Sequence, residues 1–148
     1  MRIGVLNGPN LNLLGEREPE IYGSDTLADI ERRLTQRAET REIDLTFFQS
    51  NDEGAIVDWV QSSTARVAGW LVNAAGLTHT SVPLRDALAA SGRPFVEVHL
   101  SNVFAREPFR HTSLLSDLAI GVIAGFRTSS YLFALDALAD HLESRRGD

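Results

Sequence analysis

Two residue types are missing from this chain. It contains no cysteine, which excludes disulfides, thiolate nucleophiles and metal sites with cysteine ligands. It also contains no lysine, since all 14 basic residues are arginine. Schiff-base chemistry and covalent attachment of pyridoxal phosphate both need a lysine amine, so neither can occur here. A genome rich in G and C would explain the preference for arginine, but the chemical exclusion holds whatever its cause.

Long apolar runs and concentrated charge are missing too. No stretch approaches the roughly 18 apolar residues of a membrane-spanning helix, and no signal-peptide pattern precedes Ile3. The net charge is −6, with acids and arginines interspersed, which argues against nucleic acid as the main partner but allows a small anionic substrate. We therefore predict a cytoplasmic protein with no membrane or nucleic-acid partner. A length of 148 residues favours a single catalytic domain, residues 1–148.

Short apolar runs alternate with helical patterns along the chain. The runs are nearly continuous in Val, Ile, Leu and Phe, which is typical of parallel strands covered on both faces. They lie at residues 3–6, 43–48, 70–72, 95–98 and 120–123. Apolar residues at helical spacing predict four helices, with faces that begin at Leu27, Ile56, Leu84 and Tyr131. Asp25 or Thr26 is placed to cap the first helix, and Gly92 ends the third.

This alternation predicts an α/β fold, a flavodoxin-like doubly wound five-stranded parallel sheet. In such folds the ligand binds outside the carboxyl ends of the strands. Polar or glycine-rich segments follow three of the predicted strands, at residues 7–10, 73–81 and 97–102. We therefore expect these segments to meet at one edge of the sheet.

The connection at residues 7–23 is unusually long and is predicted to carry little regular structure. Loops of this length in compact proteins are usually functional or disordered. This one contains three asparagines, one arginine and one of the two tyrosines in the chain. Such a composition favours a chemical role over a simple connecting role.

Cofactor and metal signatures are weak or absent. No Gly-rich dinucleotide fingerprint follows the first strand, and a phosphate-binding loop with lysine is impossible. The four histidines lack the standard spacings of zinc ligands; they are His79, His99, His111 and His141. We predict no cofactor and no metal, which leaves acid–base chemistry by ordinary side chains.

Two pairs of residues are candidates for this chemistry. Glu97 and His99 are two apart in a strand, so both side chains point to one face, and the carboxylate can orient the imidazole. The alternative is that His99 only closes the strand end with a hydrogen bond. In the long loop, Arg17 would favour the phenolate form of Tyr22 and make it a base. The alternatives are a packing role for Tyr22 and a solvated charge at Arg17.

These segments together resemble the signature of type II 3-dehydroquinate dehydratases. The resemblance rests on residues 7–23, 73–81 and 97–102, on Asp86, and on the run Arg106-Glu107-x-Phe109-Arg110. It extends from Ile3 to about Gly125. It implies a hydro-lyase that works without metal or cofactor: a reversible anti dehydration of 3-dehydroquinate to 3-dehydroshikimate through an enolate. The pathway implied is the shikimate pathway to chorismate and aromatic amino acids, or quinate breakdown. The family's usual assembly is a homododecamer built from trimers.

The resemblance also implies individual roles. Tyr22 would remove a proton from carbon 2, Arg17 would keep Tyr22 ionised, and Asn10 would help hold a water that stabilises the enolate oxygen. His99, oriented by Glu97, would protonate the departing hydroxyl on carbon 1. Substrate-binding positions are matched by Asn73, His79, Asp86, Leu100, Ser101 and Arg110. Of these, Asp86 would reach the site from a neighbouring subunit.

The match has departures. Thr112 stands where the family commonly has a histidine before Ser113, and Arg127 and Ser130 replace a usual glycine pair. These changes affect packing near the last helix and leave the acid and base untouched. Two other classes of protein remain alternatives: a non-enzymatic flavodoxin-like module that binds a flavin, a phosphoryl group or a protein, and an inactive scaffold. If the family assignment is right, residues 14–23 form a lid with hinges at Gly15 and Gly23 that is mobile without ligand.

Overall fold

A computed structural model describes residues 1–147 and contains one parallel five-stranded sheet. Its strands are β1 (Arg2–Asn7), β2 (Asp44–Gln49), β3 (Gly69–Asn73), β4 (Phe95–His99) and β5 (Gly121–Ala124). They are ordered β2-β1-β3-β4-β5, and every neighbouring pair is parallel. This order confirms the predicted flavodoxin-like arrangement, and the predicted strands differ from the observed ones only at their ends.

Five α-helices accompany the sheet. They are α1 (Pro19–Tyr22), α2 (Leu27–Glu39), α3 (Glu53–Ser63), α4 (Val82–Ser91) and α5 (Thr128–Arg146). Of the two predicted caps for α2, the structure uses Thr26: its hydroxyl accepts from the Asp29 amide, and the Asp29 carboxylate accepts from the Thr26 amide. Gly92 ends α4 in a left-handed conformation, as predicted.

The sheet separates two apolar layers. Val5, Leu71 and Val96 point to the layer under α2 and α5. Leu6 and Val72, the next residues along their strands, point to the layer under α3 and α4. Because successive strand residues face opposite sides, continuous apolar runs are what a sheet covered on both faces requires. The result is a rigid scaffold whose carboxyl edge carries the polar segments.

The long connection at residues 7–23 is more ordered than its composition predicts. It contains a short 3-10 helix (Leu11–Leu13) and the one-turn helix α1, which begins with a proline. Leu11 and Leu14 are buried against the α2–α5 layer, so they anchor the first half of the loop. A single turn is too short to produce an apolar periodicity, which is why the sequence gives no signal for α1.

Gly8 brings this connection against the end of β3. Its amide donates to the carbonyl of Asn73 at 2.8 Å. A Cβ at this position would lie 2.3 Å from the carbonyl oxygen of Ala74, so a side chain cannot be accommodated without moving the backbone. Within residues 1–147, no helix is both long enough and apolar enough to cross a membrane.

Candidate active site

A cavity of ≈ 150 Å³ opens at the carboxyl edge of the sheet. It lies where the chain leaves β1 and β3, which is where the winding of the fold reverses and ligands usually bind. Every predicted site residue except Glu97 and Asp86 lines it. The predicted site residues that line the cavity are Asn10, Arg17, Tyr22, Asn73, His79, His99, Leu100, Ser101 and Arg110. The fold therefore brings residues from four separate segments to one place.

Two arginine side chains contact the ring of Tyr22. The guanidinium carbon of Arg17 is 5.2 Å from the centre of the Tyr22 ring, and that of Arg106 is 5.1 Å from it. Cations attract an aromatic ring at this range, so both contacts hold the ring in place. Two cations therefore lie beside the residue predicted to be the base. Sequence reasoning predicted the contact with Arg17 and missed the one with Arg106.

Arg106 is held in the cavity wall with little exposure to solvent. Its side chain is 12% exposed, and its Nη1 makes a long contact of 3.4 Å to the hydroxyl of Ser101. Its buried Nε has no hydrogen-bond partner among residues 1–147. Its closest carboxylate oxygen, Oε1 of Glu107, is 3.9 Å away, which is an ion pair but too long for a hydrogen bond, so this donor in the cavity lining has hydrogen-bonding capacity to spare.

His99 is tied to a buried carboxylate. Its Nε2 lies 2.6 Å from Oε2 of Glu97, as expected from two residues on one face of a strand. The other oxygen of Glu97 accepts from the hydroxyl of Ser113 at 2.6 Å. Ser113 is itself fixed, because its oxygen accepts from the amide of Leu115. The chain Ser113–Glu97–His99 therefore orients the imidazole, and it leaves Nδ1 as the ring nitrogen free for other partners.

Asn73 is oriented by a residue outside the cavity. Its Nδ2 donates to the hydroxyl oxygen of Tyr131 at 2.9 Å, and that hydroxyl donates to Oδ1 of Asn7 at 2.6 Å. The side-chain oxygen of Asn73, Oδ1, accepts from the amide of Ala75. Burial raises the pKa of Tyr131 above its ordinary value, so the hydroxyl stays neutral and remains a donor.

His79 and Arg110 are the remaining polar groups that line the cavity. Nδ1 of His79 lies 2.8 Å from the carbonyl oxygen of Thr112, a contact made through the backbone of Thr112. The sequence departure at Thr112 therefore leaves the position of His79 intact. Arg110 donates to Glu107 at 2.8 Å, and this hydrogen bond lowers the pKa of the Glu107 carboxyl.

A family model described as dehydroquinase class II matches residues 1–139. The chain belongs to the class II dehydroquinase family. The family assignment made from the sequence is confirmed.

Relatives and solved structures agree with this class II dehydroquinase assignment. A protein of Prochlorococcus marinus (strain MIT 9301), named 3-dehydroquinate dehydratase, is 56% identical over 96% of this chain and 97% of its own length. The crystal structure of type II dehydroquinase from Butyrivibrio crossotus matches with a TM-score of 0.90 and 40% identity over 93% of this chain and 97% of that one. The type II dehydroquinase from Propionibacterium acnes matches with a TM-score of 0.89 and 38% identity over 94% and 96%.

Two predicted site residues lie outside the cavity of this class II dehydroquinase. Glu97 is buried and contacts His99 and Ser113. Asp86 is exposed on α4 and contributes nothing to the cavity of a single chain. The expectation that Asp86 would serve a neighbouring subunit stays a prediction, because a single chain does not test it.

Two residues near the predicted acid and base had no assigned role in the sequence: Arg106 contacts Tyr22, and Ser113 contacts the carboxylate of Glu97. Arg106 belongs to the run that carried the resemblance, but it lies far from Tyr22 along the chain, so their contact leaves no local signal. Ser113 was noted only as the residue after a departure. Among residues 1–147, no group of three or more His, Asp or Glu side chains is arranged to hold a metal ion.

Proposed function

We propose that this cavity dehydrates 3-dehydroquinate to 3-dehydroshikimate, the hydro-lyase step of the shikimate pathway for which the curated relatives are named. One observation carries the proposal. A tyrosine flanked by two arginines shares a cavity with a histidine that is bound to a buried carboxylate. The tyrosine with its arginines suits removal of a proton from the substrate, and the histidine with its carboxylate suits delivery of a proton to the leaving hydroxyl.

Tyr22 acts as the base in this proposal. Its phenolate removes a proton from carbon 2, which is acidic because it lies beside a ketone, and the electron pair moves into an enolate. Arg17 and Arg106, the two cations that contact its ring, are the groups that would stabilise the phenolate in this step.

His99 acts as the acid. As the enolate collapses, the bond from carbon 1 to its hydroxyl breaks, and the proton of His99 converts the departing group to water. The product is an enone, and the enzyme is restored when Tyr22 loses its proton to solvent and His99 regains one from solvent. Glu97 supports this step because its contact with Nε2 holds the imidazole in one orientation. Asn10 holds a water that stabilises the enolate oxygen.

The other lining residues hold the substrate. Leu100 and Ser101 receive its carboxylate through a backbone amide and a hydroxyl, and Arg110 adds a positive charge. Asn73 and His79 bind its hydroxyl groups. The fixed orientation of Asn73 supports this role, because a side chain that is already ordered loses little entropy on binding.

A homododecamer built from trimers completes the proposal, with Asp86 entering the cavity of a neighbouring copy. Exposed apolar side chains near the edge strand β5 support association between copies. They are Phe104, Phe109, Ile120 and Val122, each at least 40% exposed. An apolar patch of this kind at a sheet edge is more typical of an interface than of a free surface. The cytoplasmic location and the single-domain organisation stay predictions of the sequence.

A direct assay tests the proposed activity. Purified protein mixed with 3-dehydroquinate is expected to produce the absorbance of a conjugated enone without added metal and in the presence of a chelator. Borohydride is expected to leave the rate unchanged, because no imine can form in a chain without lysine. Absence of the enone, or inactivation by borohydride only when substrate is present, would contradict the proposal.

A further inference from the structure

Arg127 adopts a backbone conformation that residues with a side chain avoid. It stands directly before α5 with φ 52° and ψ −135°. A positive φ of this kind brings Cβ into conflict with the backbone, and glycine is the residue that tolerates it. The turn around it is strongly held: the amide of Arg127 donates to Leu100 at 2.9 Å, and the amide of Phe126 donates to the hydroxyl of Ser130 at 2.9 Å. These hydrogen bonds hold the backbone of Arg127 in its strained conformation.

The side chain of Arg127 lies against the end of the lid, residues 14–23. A Cβ built on Gly23 would be 3.1 Å from Cδ of Arg127, so the arginine stem covers the backbone of Gly23 directly. Nη2 of Arg127 makes a long hydrogen bond of 3.4 Å to the carbonyl oxygen of Glu20. One side chain therefore touches α1 and the hinge glycine that follows it.

Helix α1 depends on contacts of this kind. Its single turn is closed by the amides of Tyr22 and Gly23, which donate to the carbonyls of Glu18 and Pro19. A helix of one turn is unstable alone, because the cost of nucleation exceeds the gain from so few hydrogen bonds. Arg17 and Arg106 hold the ring of Tyr22, and Arg127 holds the backbone on either side of it.

We propose that Arg127 is a positioning residue that keeps α1 closed over the cavity and thereby sets how often Tyr22 occupies its reactive position. The inference rests on the proposed function of Tyr22 as the base. Its chemistry is simple: an apolar stem packs on Gly23, and a guanidinium donates to the last turn of the lid. The strained backbone at residue 127 is what aims the side chain at the lid.

Two substitutions separate the contact from the strain. Arg127→Gly removes the side chain and relieves the backbone, whereas Arg127→Ala removes the side chain and keeps the strain. Both are expected to raise KM roughly three- to tenfold with little change in kcat, because the closed lid becomes less populated before substrate binds. Only Arg127→Gly is expected to raise the melting temperature. Arg127→Lys keeps the stem and an amine, so it should restore part of the loss in KM.

Hydrogen exchange of the free protein provides a readout independent of activity. The amides of Tyr22 and Gly23 are expected to exchange faster in Arg127→Gly and Arg127→Ala than in the unchanged chain. The matched control is Arg93→Ala: Arg93 is also exposed and donates to a backbone carbonyl, that of Thr64, on a remote surface. It should leave KM and the exchange of α1 unchanged.

The inference is overturned if both Arg127 variants keep the original KM and the original exchange of Tyr22 and Gly23. Arg127 would then matter only for the start of α5. Failure of the proposed function looks different: the unchanged chain would not convert 3-dehydroquinate, while the exchange measurement would still report whether Arg127 holds α1.

Discussion

Tyr131 and Tyr22 are the two tyrosines of the chain, and the structure places their hydroxyls in opposite settings. Tyr131 is fully buried and bridges Asn7 and Asn73, whereas Tyr22 lines the cavity. Tyr131→Phe keeps the ring and leaves both amides short of a partner. We expect a loss of about 1–3 kcal/mol of unfolding free energy, and a higher KM because Asn73 is released. Urea denaturation and steady-state kinetics would measure the two effects, and unchanged values of both would show that the bridge is unimportant.

At the scale of elements, a charged cluster joins α2 to α5. Asp136 on α5 accepts from Nε of Arg37 at 3.1 Å and from Nη1 of Arg41 at 3.4 Å. Hydrogen bonding from Arg37 is the largest cause of the lowered pKa of Asp136. A carboxyl whose folded pKa is lowered stabilises the fold above its unfolded pKa, and this contribution disappears as the pH falls through the folded pKa.

Asp136→Asn is therefore expected to lower the melting temperature at neutral pH by an amount that shrinks in acid. The side chain of Asp136 is 27% exposed, so we expect the substitution to lower the free energy of unfolding by about 1 kcal/mol at about pH 7 and by much less near pH 3. Thermal denaturation of both proteins at the two pH values gives the comparison. An equal difference in melting temperature at both would mean that the ion pairs do not cause it.

Most helices and strands could be predicted from the sequence, but α1 could not. The strands and α2 to α5 were predictable, because apolar periodicity and caps such as Thr26 are local signals. Helix α1 was not, because its one turn is stabilised by contacts with Arg17, Arg106 and Arg127. The same limit applies to the candidate site. The pair Glu97 and His99 was visible in strand spacing, but its link to Ser113 depends on a distance that only the folded chain sets.

At the scale of the whole molecule, the cavity of one chain lacks Asp86. If neighbouring copies supply it, Asp86→Ala should raise KM in the assembled protein while the melting temperature changes little, because the side chain is exposed on α4. Sedimentation would establish the assembly, and kinetics at the same concentrations would give KM. Asp58→Ala is a matched control, since Asp58 is exposed on α3. An equal effect of the two substitutions on KM would exclude a role for Asp86 in a neighbouring site.

In the proposed reaction Tyr22 removes the proton from carbon 2, and Arg17 and Arg106 hold its ring. The most direct measurement is the turnover of 3-dehydroquinate by the unchanged chain and by Tyr22→Phe, prepared together and compared by hydrogen exchange to establish that both fold alike. Removal of a general base lowers turnover by roughly 10² to 10⁴-fold, and we predict a loss in this range with little change in stability. Turnover by Tyr22→Phe within a few-fold of the original rate would show that a group other than Tyr22 is the base.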